Sequence, residues 1–217
     1  MPNIEAPINI QGVRALFPEA VIAKWESMQE AQWYRWNLID ASMVPVHGQG
    51  ATLTTPTTRT IGGYSLDAST EYVYPSIYLM DDYIGGAIKF YTFFEVGEDN
   101  LAGHQGDEVR LVANFFYKSL HRDLDGTLYP ICNTFGPVNH DVKINQAKTF
   151  ETYVALHEFY GNKDVKPRSN MIVKARINLC TAHSEISEVI VNYFLVGYRT
   201  NTVHNRDIPL DWQSNLR

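Results

Sequence analysis

The chain has 217 residues, of which 45% are hydrophobic, 12% aromatic and 19% charged, with a formal net charge of -6, so it has enough apolar bulk to bury a core without staples. The acidic balance, with no grouping of Lys and Arg, excludes a general nucleic-acid binder, because phosphate contacts need clustered cations. Two cysteines, Cys132 and Cys180, lie in no CxxC spacing, which excludes a zinc ribbon or a many-disulfide scaffold; they read as free thiols, with one bridge between them as the alternative that depends on their Cα separation.

Residues 1–17 are expected to form an extended arm. Pro2 and Pro7 interrupt any helix, and Ile4, Ile8 and Ile10 have no matching polar face. Pro18–Trp36 reads as a helix: Pro18 suits the first helical position, Glu19 faces the positive end of the dipole, and Val21, Ile22, Trp25 and Met28 approximate an apolar stripe. Trp25, Trp33, Tyr34 and Trp36 bring more aromatic surface than water tolerates, so this segment is expected to dock. The attachment candidates are Ile4, Ile8, Ile10, Trp25, Trp33 and Trp36. No basic segment followed by an apolar run opens the chain, and no apolar run reaches the roughly 18 residues of a membrane span. The expectation is a chain without an ordinary signal peptide or a membrane helix.

From Asn37 the pattern changes to short alternating runs between turn clusters, the mark of a sandwich or barrel. Predicted strands are Asn37–Val46, Ala51–Thr60, Thr70–Leu79, Ala87–Val96, Glu108–Lys118, Thr134–Ile144, Phe150–Tyr160, Met171–Cys180 and Ser187–Arg199. Turns are predicted at Ile61–Ala68 and Asp81–Gly86 among others, where Gly and Asp accumulate. The organisation expected is an arm and helix over 1–36, a β-sandwich over 37–200 and a polar tail over 201–217.

Leu79–Val96 is the most informative stretch. An acidic, glycine-bearing turn leads into a strand with large residues on both faces: Tyr91 and Phe93 one way, Ile88, Phe90 and Phe94 the other. Such a strand is covered on both sides, by a second sheet on one and by a subunit or loop on the other. Tyr91, Phe93, Phe115 and Tyr117 are therefore candidates for core or interface. Tyr72, Tyr74 and Tyr78 lie at even spacing on one strand face, as a ligand platform or an interface would require.

Chemistry-bearing patterns are sparse. Seven histidines are scattered through the chain, with His121 near Asp123 and His140 beside Asp141, but no HExxH occurs, and neighbours in a strand point to opposite faces. The loop Gly97–Asp107 is acidic but lacks the alternating oxygen register of a calcium loop. No GxSxG is present, and neither Gly62-Gly63 nor Gly85-Gly86 opens a helix that would cradle a phosphate. The reading is a protein that is not an enzyme, with no catalytic, cofactor or metal residues.

Over residues 70–200 the order of motifs resembles the jelly-roll virion proteins of tailed bacteriophages, found as head fibres, capsid decoration proteins and tail-associated trimers. The resemblance rests on the turn Asp82–Gly86 and its aromatic strand, on Asp107–Lys118 (DEVRLVANFFYK), on Val138–Lys148 and Phe150–Phe159, on the VKPRSN loop before Met171–Leu179, and on Glu188–Arg199. The chain departs from the pattern before its last strand, where Cys180, His183, Glu185 and Glu188 replace an acidic GD turn. The resemblance implies an all-β, antiparallel eight-stranded jelly-roll sandwich with an N-terminal arm and one short helix. It also implies a homotrimer in the virion, assembled in the host cytoplasm, that binds other capsid or tail subunits through its arm and has no nucleic-acid or membrane partner. The alternative is a carbohydrate- or receptor-binding domain of a tail fibre, with a host surface glycan as partner. A further alternative is a cupin-like metalloprotein, against which stands the lack of a tight HxH pair.

Overall fold

In the computed structural model, the residues described are 34–47, 51–58, 60–96, 107–119, 133–144, 151–161 and 167–200. The predicted arm, most of the predicted helix, the loop Gly97–Gly106, His121, Cys132 and the tail lie outside them, as do Ile4, Ile8, Ile10, Trp25 and Trp33. The chain divides into two compact units, Met1–Tyr34 with Thr202–Arg217, and Arg35–Asn201. The second is the unit described here.

The regular elements among its described residues are strands, apart from two single 3-10 turns at Ala41–Met43 and Thr181–His183. The strands are β1 (Tyr34–Asp40), β2 (Val46–His47), β3 (Thr52–Thr54), β4 (Gly63–Leu66), β5 (Tyr72–Val73), β6 (Ser76–Leu79), β7 (Tyr83–Val96), β8 (Asp107–Ser119), β9 (Asn133–Ile144), β10 (Tyr153–Phe159), β11 (Met171–Leu179) and β12 (Val189–Thr200). They form two six-stranded sheets. Sheet A runs β10-β7-β12-β4-β3 with β1 also on β12, and sheet B runs β2-β5-β11-β8-β9 with β6 also on β11. From β4 through β6 to β12 the chain passes between the sheets so that β4-β12-β7-β10 faces β6-β11-β8-β9, the double Greek-key order of a jelly roll. The expected antiparallel jelly-roll sandwich is therefore the fold of this unit, its eight strands extended by β1 and β3 on sheet A and by β2 and β5 on sheet B.

Period-two alternation explains the core. On β11, Met171, Val173, Ala175, Ile177 and Leu179 point inward; on β8, Val109, Leu111, Ala113, Phe115 and Tyr117 do so. They meet Ile88, Phe90, Phe94 and Val96 of β7 and Val189, Val191, Phe194, Val196 and Tyr198 of β12. Phe159 closes one side, its ring 5.0 Å from Phe115 and 4.9 Å from Tyr117.

Phe115 and Tyr117 are thus core, whereas Tyr91 and Phe93 lie on the other face of β7. That face is covered within the chain itself: Phe93 is only 4% exposed and stacks on Tyr193 at 4.5 Å, and Tyr91 lies 5.7 Å from Trp36. No neighbouring subunit is needed to shield it.

Several boundaries differ from expectation: the predicted strand Asn37–Val46 is broken by the 3-10 turn Ala41–Met43, and the predicted strand Ala51–Thr60 shortens to Thr52–Thr54. Residues 34–36 are strand rather than the end of a helix, and Trp36 lies in the slot left by Gly197, where a Cβ would come within 2.2 Å of the indole. Trp36 is a packing residue of the sandwich, and the unit begins ahead of Asn37. Strand β4 occupies part of the predicted Ile61–Ala68 turn, because Gly63 at φ +145° brings the backbone against β12, where a Cβ would meet the Val191 carbonyl oxygen at 2.0 Å. Strand β7 starts at Tyr83 and runs through Gly85 and Gly86, both at positive φ, instead of starting after them.

Candidate functional site

The alternation that fills the core leaves a second set of side chains on the outer face of sheet B. Strand β11 presents Ile172, Lys174, Arg176 and Asn178 there, and β8 presents Arg110, Val112, Asn114, Phe116 and Lys118. The register sets Lys174 opposite Phe116 and Ser76, and Arg176 opposite Asn114. Tyr72 and Tyr74 join this face from β5 and the residue after it, their rings 6.4 Å apart. Pro75 follows, has no N–H to give to the ladder, and interrupts the strand; its carbonyl nevertheless accepts the Ala175 N–H at 2.9 Å, so register with β11 continues across the break.

Arg176 is the centre of this surface. Its guanidinium carbon lies 4.7 Å above the Tyr72 ring and 5.6 Å from the Phe116 ring, an arrangement in which each ring's negative face attracts the cation. Its Nε is covered and has no hydrogen-bond partner. Burial pushes the Tyr74 phenol above its ordinary range, and the Arg176 charge pulls it the other way. Tyr72, Tyr74, Phe116, Asn114 and Lys174 are all half-buried, so they offer ring and polar surface without being mobile outer side chains.

Of the three tyrosines singled out in the sequence, the structure brings Tyr72 and Tyr74 together and gives Tyr78 a different task. Tyr78 is separated from them by Ser76 and donates its hydroxyl to Asn170, which in turn donates to Asp81. Arg176 and Phe116 escaped the sequence reading. The signal for them was present in the even-numbered positions of β8 and β11, but the pairing of those strands decides that they meet.

Two further groupings have no local sequence signal. His157 is fully buried on the core side of β10, its Nε2 3.1 Å from the Leu111 carbonyl, and His140 of β9 lies across from it with ring centroids 6.0 Å apart. Burial lowers the affinity of His157 for protons to a pKa of about 4, and His140 is shifted down for the same reason. Asp141 points away from His140 and makes a two-pronged pair with Arg110 at 2.6 and 2.8 Å, as expected for neighbours in a strand. Among the described residues no group of three His, Cys, Asp or Glu side chains could hold a metal. Cys180 is a free thiol.

A shallow cleft elsewhere is lined by Asp67, Ser69, Thr181, Ser184, Glu185 and Ser187. Its neighbouring carboxylates already serve the backbone: Glu71 accepts the Asp67 N–H at 2.7 Å, and Glu185 accepts the Glu108 N–H at 2.8 Å. Among the described residues no helix is long and apolar enough to cross a membrane.

No protein-family profile matches the sequence, and no curated protein matches it. Solved structures similar to the chain include a carbohydrate-binding module CBM36 in complex with calcium and xylotriose, at 12% identity and a TM-score of 0.40 over 74% of this chain and 98% of that one. Another is CBM35 from Cellvibrio japonicus Abf62, at 12% identity and TM-score 0.41 over 77% and 99%. The tailspike protein 4 of bacteriophage CBA120 is also similar, at 8% identity and TM-score 0.33 over 76% of this chain and 20% of that one. These likenesses are distant, and the functional reading rests on the chain's own side chains.

Proposed function

We propose that the sandwich is a glycan-binding module whose site is the outer face of sheet B. The observation that carries this reading is the half-buried cluster of Tyr72, Tyr74, Phe116 and Arg176 with Asn114 and Lys174 beside it. A sugar has an apolar face of C–H groups and a rim of hydroxyls. Aromatic rings fixed on a sheet bury the first at little entropic cost, and amide, phenol and ammonium groups hydrogen-bond the second. The twisted sheet beneath the cluster is rigid, with core residues on its opposite side, so the site is preformed.

The setting follows the sequence resemblance: such a module on a virion recognises a host surface glycan, as a receptor-binding domain of a tail fibre does. Trimeric assembly and contacts with capsid or tail subunits rest on that resemblance alone and are proposed with it.

Affinity electrophoresis against a panel of soluble polysaccharides tests the reading. The wild-type protein is expected to be retarded by at least one of them, and Tyr74→Ala to lose about tenfold in affinity, or about 1.4 kcal/mol, with its fold intact. Retardation that survives Tyr74→Ala and Arg176→Met together would place binding elsewhere.

A further inference from the structure

The charge on the outer face of sheet B runs against the charge of the chain. The protein carries a net -6, yet Lys118, Lys174 and Arg176 share this face, with Arg176 next to Lys174 on β11 and Lys118 opposite Ile172. Among the described residues none of the three has a carboxylate partner, in contrast to Arg35 with Asp82, Lys89 with Glu158 and Arg110 with Asp141. Glu108 and Asp141 lie towards the other end of β8, where Arg110 occupies Asp141 and Glu108 sits opposite Lys143, while Asp81, beyond Tyr78, accepts from the Asn170 amide. Glu108 is eight residues from Phe116 along β8, roughly 26 Å at the rise of an extended strand. The aromatic cluster is therefore the cationic end of the face.

We infer that the ligand of this surface is an acidic saccharide, and that Arg176 is the specificity-determining residue that pairs with its carboxylate. This deepens the glycan-binding reading and rests on it. A guanidinium is planar and always charged, and it pairs two-pronged with a carboxylate. Stacking against Tyr72 and Phe116 fixes the plane of Arg176 before any ligand arrives, so little side-chain freedom is lost on pairing. The described residues give the guanidinium no acceptor of its own, so a uronate carboxylate meets a cation that has no internal salt bridge to break. Lys174 and Lys118 extend the positive field along the direction in which a repeating acidic chain would run. A nucleic-acid strand fits less well: three cations on a chain of net -6 do not supply the counter-ion release that phosphate binding depends on.

Calorimetric titration at one fixed ionic strength decides the matter, using polygalacturonate, alginate and hyaluronan, each beside its carboxyl-reduced counterpart, with neutral xylan and galactan, dextran sulfate and an oligothymidylate as comparisons. The expected result is binding of at least one uronate polymer about tenfold tighter than its reduced form. Arg176→Met should abolish that preference, Arg176→Lys should restore only part of it, and the solvent-facing Lys118→Met should weaken acidic ligands alone. Equal binding of acidic and reduced forms would overturn this inference and leave the glycan module standing. Equal or tighter binding of dextran sulfate or the oligothymidylate would also overturn it, as a general polyanion surface. Binding to nothing in the panel would overturn both.

Discussion

Gly197 and Trp36 show how one small residue fixes one large one. A Cβ at position 197 would come within 2.2 to 2.7 Å of three indole carbons, and the ring cannot retreat, since Trp36 is 4% exposed and packs beside Tyr91. Gly197→Ala is expected to cost about 2 kcal/mol in urea unfolding, the usual range for overpacking a filled core. His157 makes a different prediction, about pH. Its native pKa of about 4 lies below the ordinary histidine value, so the unfolded chain binds the extra proton between pH 4 and about 6.5. Stability from this residue is complete above about pH 6.5, is lost as pH falls towards 4, and amounts to about 3 kcal/mol across that window. His140, shifted down in the same sense, adds to the slope. Unfolding curves measured from pH 4 to 7 check this, and His157→Asn should flatten the dependence.

At the scale of elements, legibility in the sequence followed the regularity of alternation. Strands β8, β11 and β12 were readable to within a residue or two, because β8 and β11 keep period two with large apolar residues on the inward side, and β12 keeps it on either side of its bulge at Asn192. Strand β4 was not, since it opens on Gly63, and glycine pairs signal turns in isolation; its conformation depends on the bulge in β12 around Asn192, whose side-chain amide donates to the Gly62 carbonyl at 2.7 Å. Gly63→Ala therefore meets both a forbidden φ and the Val191 carbonyl. Calorimetry is expected to show a loss of more than about 2 kcal/mol, whereas a change within a few tenths would mean that β4 does not need its close approach to β12. The break at Pro75 was equally hidden: even spacing placed Tyr72, Tyr74 and Tyr78 on one face correctly, but only the partners Arg176 and Asn170 separate the first two from the third. Trp36 misled because aromatic density in Trp25–Trp36 reads alike for a docking helix and for the first strand of a sandwich.

For the whole molecule, the two sheets have different outer faces. Sheet A buries Tyr91, Phe93 and Glu95 on the side away from the core, where Trp36 and Tyr193 pack against the two rings. Sheet B leaves Tyr72, Tyr74, Phe116, Lys174 and Arg176 half-buried on its outer side, and this asymmetry underlies the proposal that this face takes the ligand. The sandwich was foreseeable from composition and turn spacing; the proposed ligand face was not, because it is assembled from the separate strands β5, β8 and β11, with Tyr72 and Arg176 more than 100 residues apart in the chain. The central claim, that this face binds glycan, is tested most directly by following backbone amide resonances during titration with a saccharide that the protein retains. Shifts confined to Tyr72, Tyr74, Asn114, Phe116, Lys174 and Arg176 and their neighbours are the result expected. Shifts that instead gather around Asp67, Ser184 and Glu185, or on sheet A, would contradict it.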